Sequence, residues 1–293
     1  MMVRSIASMM PWTDRAGRFS PLKAAVFAGI CIPAAIIVWS WEAKLLGPRP
    51  ITEAIHETGD WTIRFLLLSL AVTPFRRIAN GPKLIQVRRM LGLAALAYGL
   101  AHLTLYIADQ KWDLWKVGSE IVLRFYLTLG FAALLGLVAL GATSTDAMIK
   151  RLGGNWNRLH RIVYGIGILG AIHFFMQTKA DVYQATLMSG LFILLMLYRI
   201  AHWRGAAINS PLVLAGIAIL AGLGTAAGEF AWYGIATGVP PLRVLQANLN
   251  FAFQIRPSWW VVAAGLGVAV LAFVRPSIGE KRPTRREPVR IPA

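Results

Sequence analysis

The sequence predicts an all-α, polytopic membrane helical bundle, and three observations predict it. Of its 293 residues 57% are hydrophobic, with a mean hydropathy of +0.58, well outside the range of a soluble domain of this size. Several windows of roughly 18 or more apolar residues follow one another, each long enough to cross a bilayer. The segments between them alternate between strongly basic and neutral or acidic. In lipid every backbone polar group must be satisfied within the chain, so the spans are expected to be helices.

The first span is read at Lys23 to Trp41, with Trp39 and Trp41 as interface anchors. Arg4, Arg15 and Arg18 precede it; no small-residue cleavage pattern follows before Trp39, so it is expected to be a retained span and not a removed leader. A polar loop with Glu42, Glu53, His56, Glu57 and Asp60 leads to a second span, Trp61 to Phe75, ending at Thr73-Pro74. The loop RRIANGPKLIQVRR has no acid, and the third span follows from Met90 to Ala108. After DQKWDLWKVGSE, with Trp112 and Trp115, comes a fourth span, Ile121 to Gly141. The fifth, NWNRLHRIVYGIGILGAIHFFMQTK at Asn155 to Lys179, starts at a basic, amide-rich lip and becomes almost wholly apolar. The sixth runs from Ala185 to Ala201. Two more, Leu212 to Ala227 and Trp259 to Val274, are joined by a long external segment expected to hold Glu229, Arg243 and Arg256. The resulting divisions are an N-terminal segment (1–20), a six-helix core (21–205), two further spans with their external loop (206–275) and a basic tail (276–293). No internal repeat and no soluble domain are evident.

The formal net charge is +17 although charged residues are only 15% of the chain. The excess lies between spans and at the ends, where it reads as topology signal and anionic-lipid contact. No exposed basic domain exists to bind nucleic acid. The positive-inside rule places the N-terminus, the 76–89 and 143–161 loops, the 202–206 turn and the tail from Arg275 in the cytoplasm. Cys31 stands alone, which excludes intrachain disulfides, Cys-ligated zinc and iron–sulfur clusters. There is no GxGxxG after a strand and no P-loop.

The chemistry rests on the histidines: His56, His102, His160, His173 and His202. A histidine deep in an apolar span is costly to bury and is a common metal ligand. His102 lies 12 residues into the third span and His173 about 14 residues into the fifth. Both spans run outward, so at ~1.5 Å per residue both sit about 18–21 Å above the cytoplasmic boundary. Two imidazoles at one depth on two helices can ligate one haem iron from both faces, a closed site suited to electron transfer. The competing reading is two histidines hydrogen-bonded to neighbouring helices. Gly99 and Gly170 each lie three residues before one of these histidines, on the same face. They read either as clearance for a porphyrin or as close helix packing.

His160 is thirteen residues before His173, about 140° away on a straight helix at ~100° per residue. The two share a face only if the helix is irregular at its lower end. His160 reads either as a ligand of a second haem, with His202 as partner, or as an interfacial residue beside a propionate or a quinol. His56 reads as a solvated loop histidine. Arg88, Arg89, Arg158 and Arg161 are candidates for haem propionates or a flavin phosphate, against a role as topology charges.

RRMLGLAALAYGLAHLTLYI, followed by NWNRLHRIVYGIGILGAIHFF, resembles the MsrQ (formerly YedZ) family. Its members are haem-binding membrane subunits of the protein-methionine-sulfoxide reductase system, in the ferric-reductase-like transmembrane superfamily. The resemblance covers about residues 20–205, with W-x-x-L-H-R at Trp156 to Arg161 and the thirteen-residue histidine spacing as its more specific parts. It implies a six-helix ferric-reductase-like core, one haem b or two, and FMN. It also implies haem-linked positions at His102, His160 and His173. Electrons are expected from a quinol or a cytoplasmic flavin reductase, and to pass outward across the bacterial inner membrane. Their acceptor would be a periplasmic molybdopterin-containing methionine sulfoxide reductase subunit that repairs oxidised proteins. Arg89 and Arg161 join His102, His173, His160, Gly99 and Gly170 as candidate cofactor contacts. The chain would be an electron-transfer subunit and not the catalytic one.

Two rivals are distinguishable. A ferric-reductase-like or b561-like carrier with another acceptor shares the histidines, although b561-like proteins normally show two histidine pairs. A haem-free transporter or assembly factor would want paired acids or broken helices at mid-membrane, and the spans hold almost no acid.

Overall fold

A computed structural model describes residues 10–14, 16–178, 181–252 and 254–274. The expected tail, 276–293, and Arg4, Arg15 and Lys179 lie outside the described residues. The described chain is helical, with α1 Pro21–Glu42, α2 Pro50–Ile78, α3 Ile85–Asp109, α4 Leu114–Leu123, α5 Phe125–Ala142, α6 Asp146–Leu152, α7 Gly154–Leu159, α8 Val163–Thr178, α9 Tyr183–Trp203, α10 Pro211–Ala236, α11 Pro241–Ala247 and α12 Pro257–Val274. Seven stretches among the described residues are long and apolar enough to cross a membrane. They correspond to seven of the eight predicted spans. The eighth, in α2, is not among them; it is longer and more polar than expected, and it carries the most buried residues of the six-helix core.

Helix α2 corrects the sequence reading at both ends. The stretch with Glu53, His56, Glu57 and Asp60, expected as a loop, is its first turns. Pro74, expected to end it, lies inside it. A proline removes the N–H that would bond the carbonyl four residues earlier, here that of Leu70. Arg199 of α9 supplies the missing donor, giving one guanidinium hydrogen to Leu70 O at 2.5 Å and another to Leu195 O at 2.9 Å. Its face also lies over the Tyr164 ring, 5.5 Å from the centroid.

Helix α1 contains a second proline, Pro33. There the Tyr98 hydroxyl of α3 enters the backbone ladder. It accepts from Ala34 N–H at 2.9 Å and donates to Ile30 O at 2.7 Å. Both devices satisfy backbone groups that lipid would leave bare.

The predicted fourth span is two elements. The chain turns extended at Arg124, which separates the amphipathic α4 from the apolar α5. The predicted fifth is also interrupted, by the short α7 and a 3₁₀ turn at His160–Ile162 before α8. Helices α2 and α3 pack together, as do α5 and α8, and α9 joins this group to α10 and α12. Small residues let the last three approach closely: Gly222 faces Val262, Gly265 faces Ala218, and Gly190 faces Thr225 and Val261. Glu229 is not in the external connection as expected. It belongs to α10 and is wholly buried.

Candidate functional site

His102 projects from α3 and His173 from α8 into one space between α2, α3, α5 and α8. Their ring centroids are 6.4 Å apart and their planes are nearly perpendicular, at 86°. His102 Nδ1 is 2.7 Å from the carbonyl oxygen of Ile55 on α2. His173 Nδ1 is 2.7 Å from the carbonyl oxygen of Tyr126 on α5. A carbonyl can only accept, so in both rings Nδ1 carries the proton and donates. In the neutral imidazole that leaves the Nε2 lone pair free for a metal.

Each acceptor carbonyl lies one helical turn before a glycine, and the glycine makes room for the ring. A Cβ on Gly59 would stand 3.0 Å from His102 Nδ1. A Cβ on Gly130 would stand 2.8 Å from both His173 Nδ1 and Cε1. The two arrangements share one design, with the histidine 47 residues after its acceptor in both. The structure therefore contains a repeated helix-pair unit that the sequence reading did not find. Helix repeats of this kind need not share side chains, and the acceptor is a backbone atom.

The spacing of the two rings fits an iron held between them. An imidazole nitrogen sits about 2.0–2.1 Å from a first-row metal ion, which would put two in-line ring centroids about 6–6.5 Å apart. The observed gap lies in that range. No group of three or more His, Cys, Asp or Glu that could hold a metal occurs among the described residues, so the fold offers a metal a pair of ligands and not a cage.

The predicted glycines part company. A Cβ on Gly170 would meet no atom within 4 Å, so this position faces open space. Gly99 is buried; a Cβ there would meet Leu134 Cδ1 at 3.1 Å and Thr62 Cγ2 at 3.5 Å. Close packing describes Gly99, and it is Gly59 and Gly130 that clear the imidazoles. Neither stands out in the sequence, because Gly59 lies in what reads as a loop and Gly130 in an unbroken apolar run.

His160 stands apart from this pair, at the other end of α8. Its Nε2 is 3.2 Å from Thr143 Oγ1, and its ring stacks on Trp156 at 3.9 Å between centroids. Trp156 in turn donates from Nε1 to Thr143 O at 2.9 Å. His160 lies in a 3₁₀ turn, so the lower end of this span is irregular. His202 is exposed at the end of α9, and His56 is exposed on α2. Arg89 is engaged, with Nη1 2.6 Å from Asp146 Oδ1 and 3.2 Å from Ser144 O. Arg158 and Arg161 are exposed on the same lip, while Arg88 is half-buried beside them.

Residues 58–171 match the family model of the ferric reductase like transmembrane component. That stretch begins one residue before Gly59 and ends two before His173. The chain is 40% identical over 185 residues to the "Protein-methionine-sulfoxide reductase heme-binding subunit MsrQ" of Xanthomonas campestris pv. campestris (strain 8004), covering 61% of this chain and 85% of that protein. It is 39% identical over 175 residues to the protein of the same name from Caulobacter vibrioides, covering 59% and 82%. No solved structure matches.

Proposed function

Because the chain belongs to the MsrQ family, the heme-binding subunits of the protein-methionine-sulfoxide reductase, we propose that it is a membrane cytochrome whose haem iron is held by His102 and His173. The single observation that carries this reading is the pair of rings with centroids 6.4 Å apart, each with Nδ1 committed to a backbone carbonyl. When bound, a b-type haem supplies a one-electron Fe(III)/Fe(II) couple. The residues do the rest. Ile55 and Tyr126 carbonyls fix the imidazole tautomers and ring orientations and raise the basicity of Nε2. His102 and His173 would hold the iron between them, and a group held that way would carry electrons and not do chemistry on a sulfoxide.

Electrons move, in this reading, from a quinol or a cytoplasmic flavin reductase to a periplasmic molybdopterin-containing methionine sulfoxide reductase subunit. The protein lies in the bacterial inner membrane with both termini cytoplasmic, as the basic loops indicate. The lip formed by Arg158 and Arg161, beside Arg88 and Arg89, is where an FMN phosphate or a haem propionate finds cations. His160, stacked on Trp156 at that lip, marks the place where electrons enter or where a second haem binds.

The test is optical. Protein purified from haem-replete cells shows a b-type spectrum, and His102→Ala and His173→Ala each abolish it. A colourless wild type overturns the reading. The haem-to-protein ratio of His160→Ala, compared with wild type, counts the haems. Co-purification with the methionine sulfoxide reductase catalytic subunit tests the acceptor.

A further inference from the structure

At the end of the bundle away from His160, a line of four side chains links α3 to the start of α5. Tyr106 lies four residues after His102 on α3, on the same face and about 6 Å further along the helix. Its hydroxyl donates to Glu120 Oε2 on α4. The other oxygen of that carboxylate, Oε1, accepts from Arg124 Nη2 at 3.2 Å. Arg124 Nη1 in turn reaches the Tyr126 hydroxyl, at 3.4 Å. The line Tyr106–Glu120–Arg124–Tyr126 therefore begins one turn from His102 and ends on the residue whose carbonyl holds His173.

These side chains cross a place that has to be held. Arg124 is extended, with φ −105° and ψ 102°, and separates α4 from α5. Tyr126 is the second residue after that break, so the direction of the break sets where its carbonyl and its ring point. Thr128 spans the break toward the backbone, donating from Oγ1 to Ile121 O at 2.6 Å. Glu120 and Arg124 span it between side chains. Helix α4 packs mainly on α5, and the hydrogen bond from Tyr106 ties it to α3 as well.

Tyr126 acts on the His173 ring twice. Its carbonyl accepts the Nδ1 proton at 2.7 Å, and its own ring lies alongside the imidazole, 6.3 Å away between centroids and 23° from parallel. Fixing Tyr126 therefore fixes the plane of His173. That plane stands at 86° to the plane of His102, which comes from α3. A tie between α3 and the break thus bears on the angle between the two imidazoles. Stability is the smaller part of what the tie does. The Arg124 side chain is 52% exposed, and an ion pair at the surface contributes little. Glu120, at 17% exposed, is held by partners on both sides of the junction, so what it fixes is geometry.

We infer that Glu120 is a positioning residue for the histidine pair: through Tyr106 and Arg124 it holds the His102 helix against the break that places Tyr126, and so sets the mutual angle of the two imidazoles. The inference rests on the haem reading, since the angle matters through the iron that the two rings would hold. The relative orientation of two axial imidazole planes sets the splitting of the iron d orbitals, and with it the low-spin ferric signal.

The test uses the full-length protein in detergent, purified from haem-replete cells. Electron paramagnetic resonance reads the low-spin ferric signal, transfer to an apo-globin reads haem retention, and the melting temperature reads folding. Glu120→Ala shifts the largest g value from that of wild type and releases haem about tenfold faster, the lower end of the effect of losing an outer partner of a metal-ligating histidine. Glu120→Gln, which keeps an oxygen for Tyr106 and loses the charge facing Arg124, falls between the two. Tyr106→Phe, which removes one oxygen atom, shifts the g value in the same direction and adds nothing on top of Glu120→Ala, because the two act through one contact. The inference is overturned if Glu120→Ala lowers haem content or melting temperature but leaves the g value of the remaining haem unchanged, as a purely structural role would. If Glu120→Ala does not fold, Tyr106→Phe decides, and an unchanged g value there overturns the inference as well. A colourless wild type overturns the haem reading and this inference together, whereas a coloured wild type whose signal neither variant alters overturns the inference alone.

Discussion

The orientation of each imidazole is decided by atoms that carry no side-chain identity. Ile55 O and Tyr126 O receive the Nδ1 protons, and Gly59 and Gly130 leave the rings somewhere to lie. A methyl group at Gly130 meets two ring atoms of His173 at 2.8 Å, which forces the ring off its carbonyl. At Gly59 the contacts are 3.0 and 3.1 Å, so the displacement is smaller. Loss of an outer partner of a metal-ligating histidine typically weakens metal affinity about 10–100-fold. Gly130→Ala is therefore expected to retain haem about 10–100-fold less well, and Gly59→Ala to fall between it and wild type, as read by haem transfer to an apo-globin acceptor. Gly170→Ala separates the two readings of that glycine. Its Cβ meets no protein atom within 4 Å, so a loss of haem without a change in the apoprotein's melting temperature assigns the open space to the porphyrin. The histidines themselves were legible in the sequence, because imidazole in an apolar span has few other reasons to be there. Their acceptors were not, since any residue offers a carbonyl.

Helices α1 and α2 both run through a proline, and in each case a side chain from another helix repairs the break. Pro74 frees Leu70 O, and Arg199 takes it. Pro33 loosens the ladder where Tyr98 enters between Ala34 N–H and Ile30 O. The repairs tie α9 to α2 and α3 to α1, so they act as tertiary contacts as well as backbone satisfaction. Arg199→Leu leaves a buried carbonyl bare and is expected to cost about 1–3 kcal/mol, the penalty for an unsatisfied buried group. Arg199→Lys, which keeps one donor, should recover part of it. Thermal unfolding followed by near-ultraviolet circular dichroism checks both; equal stability of Arg199→Leu and wild type would remove the repair role. The same pair of facts explains why element ends were misjudged. Thr73-Pro74 reads as a stop because the residue that lets the helix continue lies 125 positions later. The break at Arg124 is harder to read, since the arginine interrupts the apolar run but no proline or glycine stands beside it.

The whole molecule divides into a part that holds the histidines and a part that covers α9. The histidine pair is enclosed by α2, α3, α5 and α8, and none of these packs extensively on α10 or α12. The charge alternation, the span count and the matched depth of two histidines made the first part readable from sequence. The second was only partly so, because Glu229 sits at the end of an apolar run and its partner Arg256 arrives 27 residues later, from the far side of α11. Relatives that match 61% of this chain account thereby for 85% of their own length, which agrees with a histidine-bearing part that is sufficient by itself. A chain ending at Asn209 is thus expected to keep the b-type spectrum and the haem-to-protein ratio of the full chain. It should melt lower, because it uncovers the face of α9 at Gly190 and Leu194 that Thr225, Val261 and Gly265 now close. Loss of the spectrum in a truncated chain that still folds would make α10 and α12 part of the haem site itself.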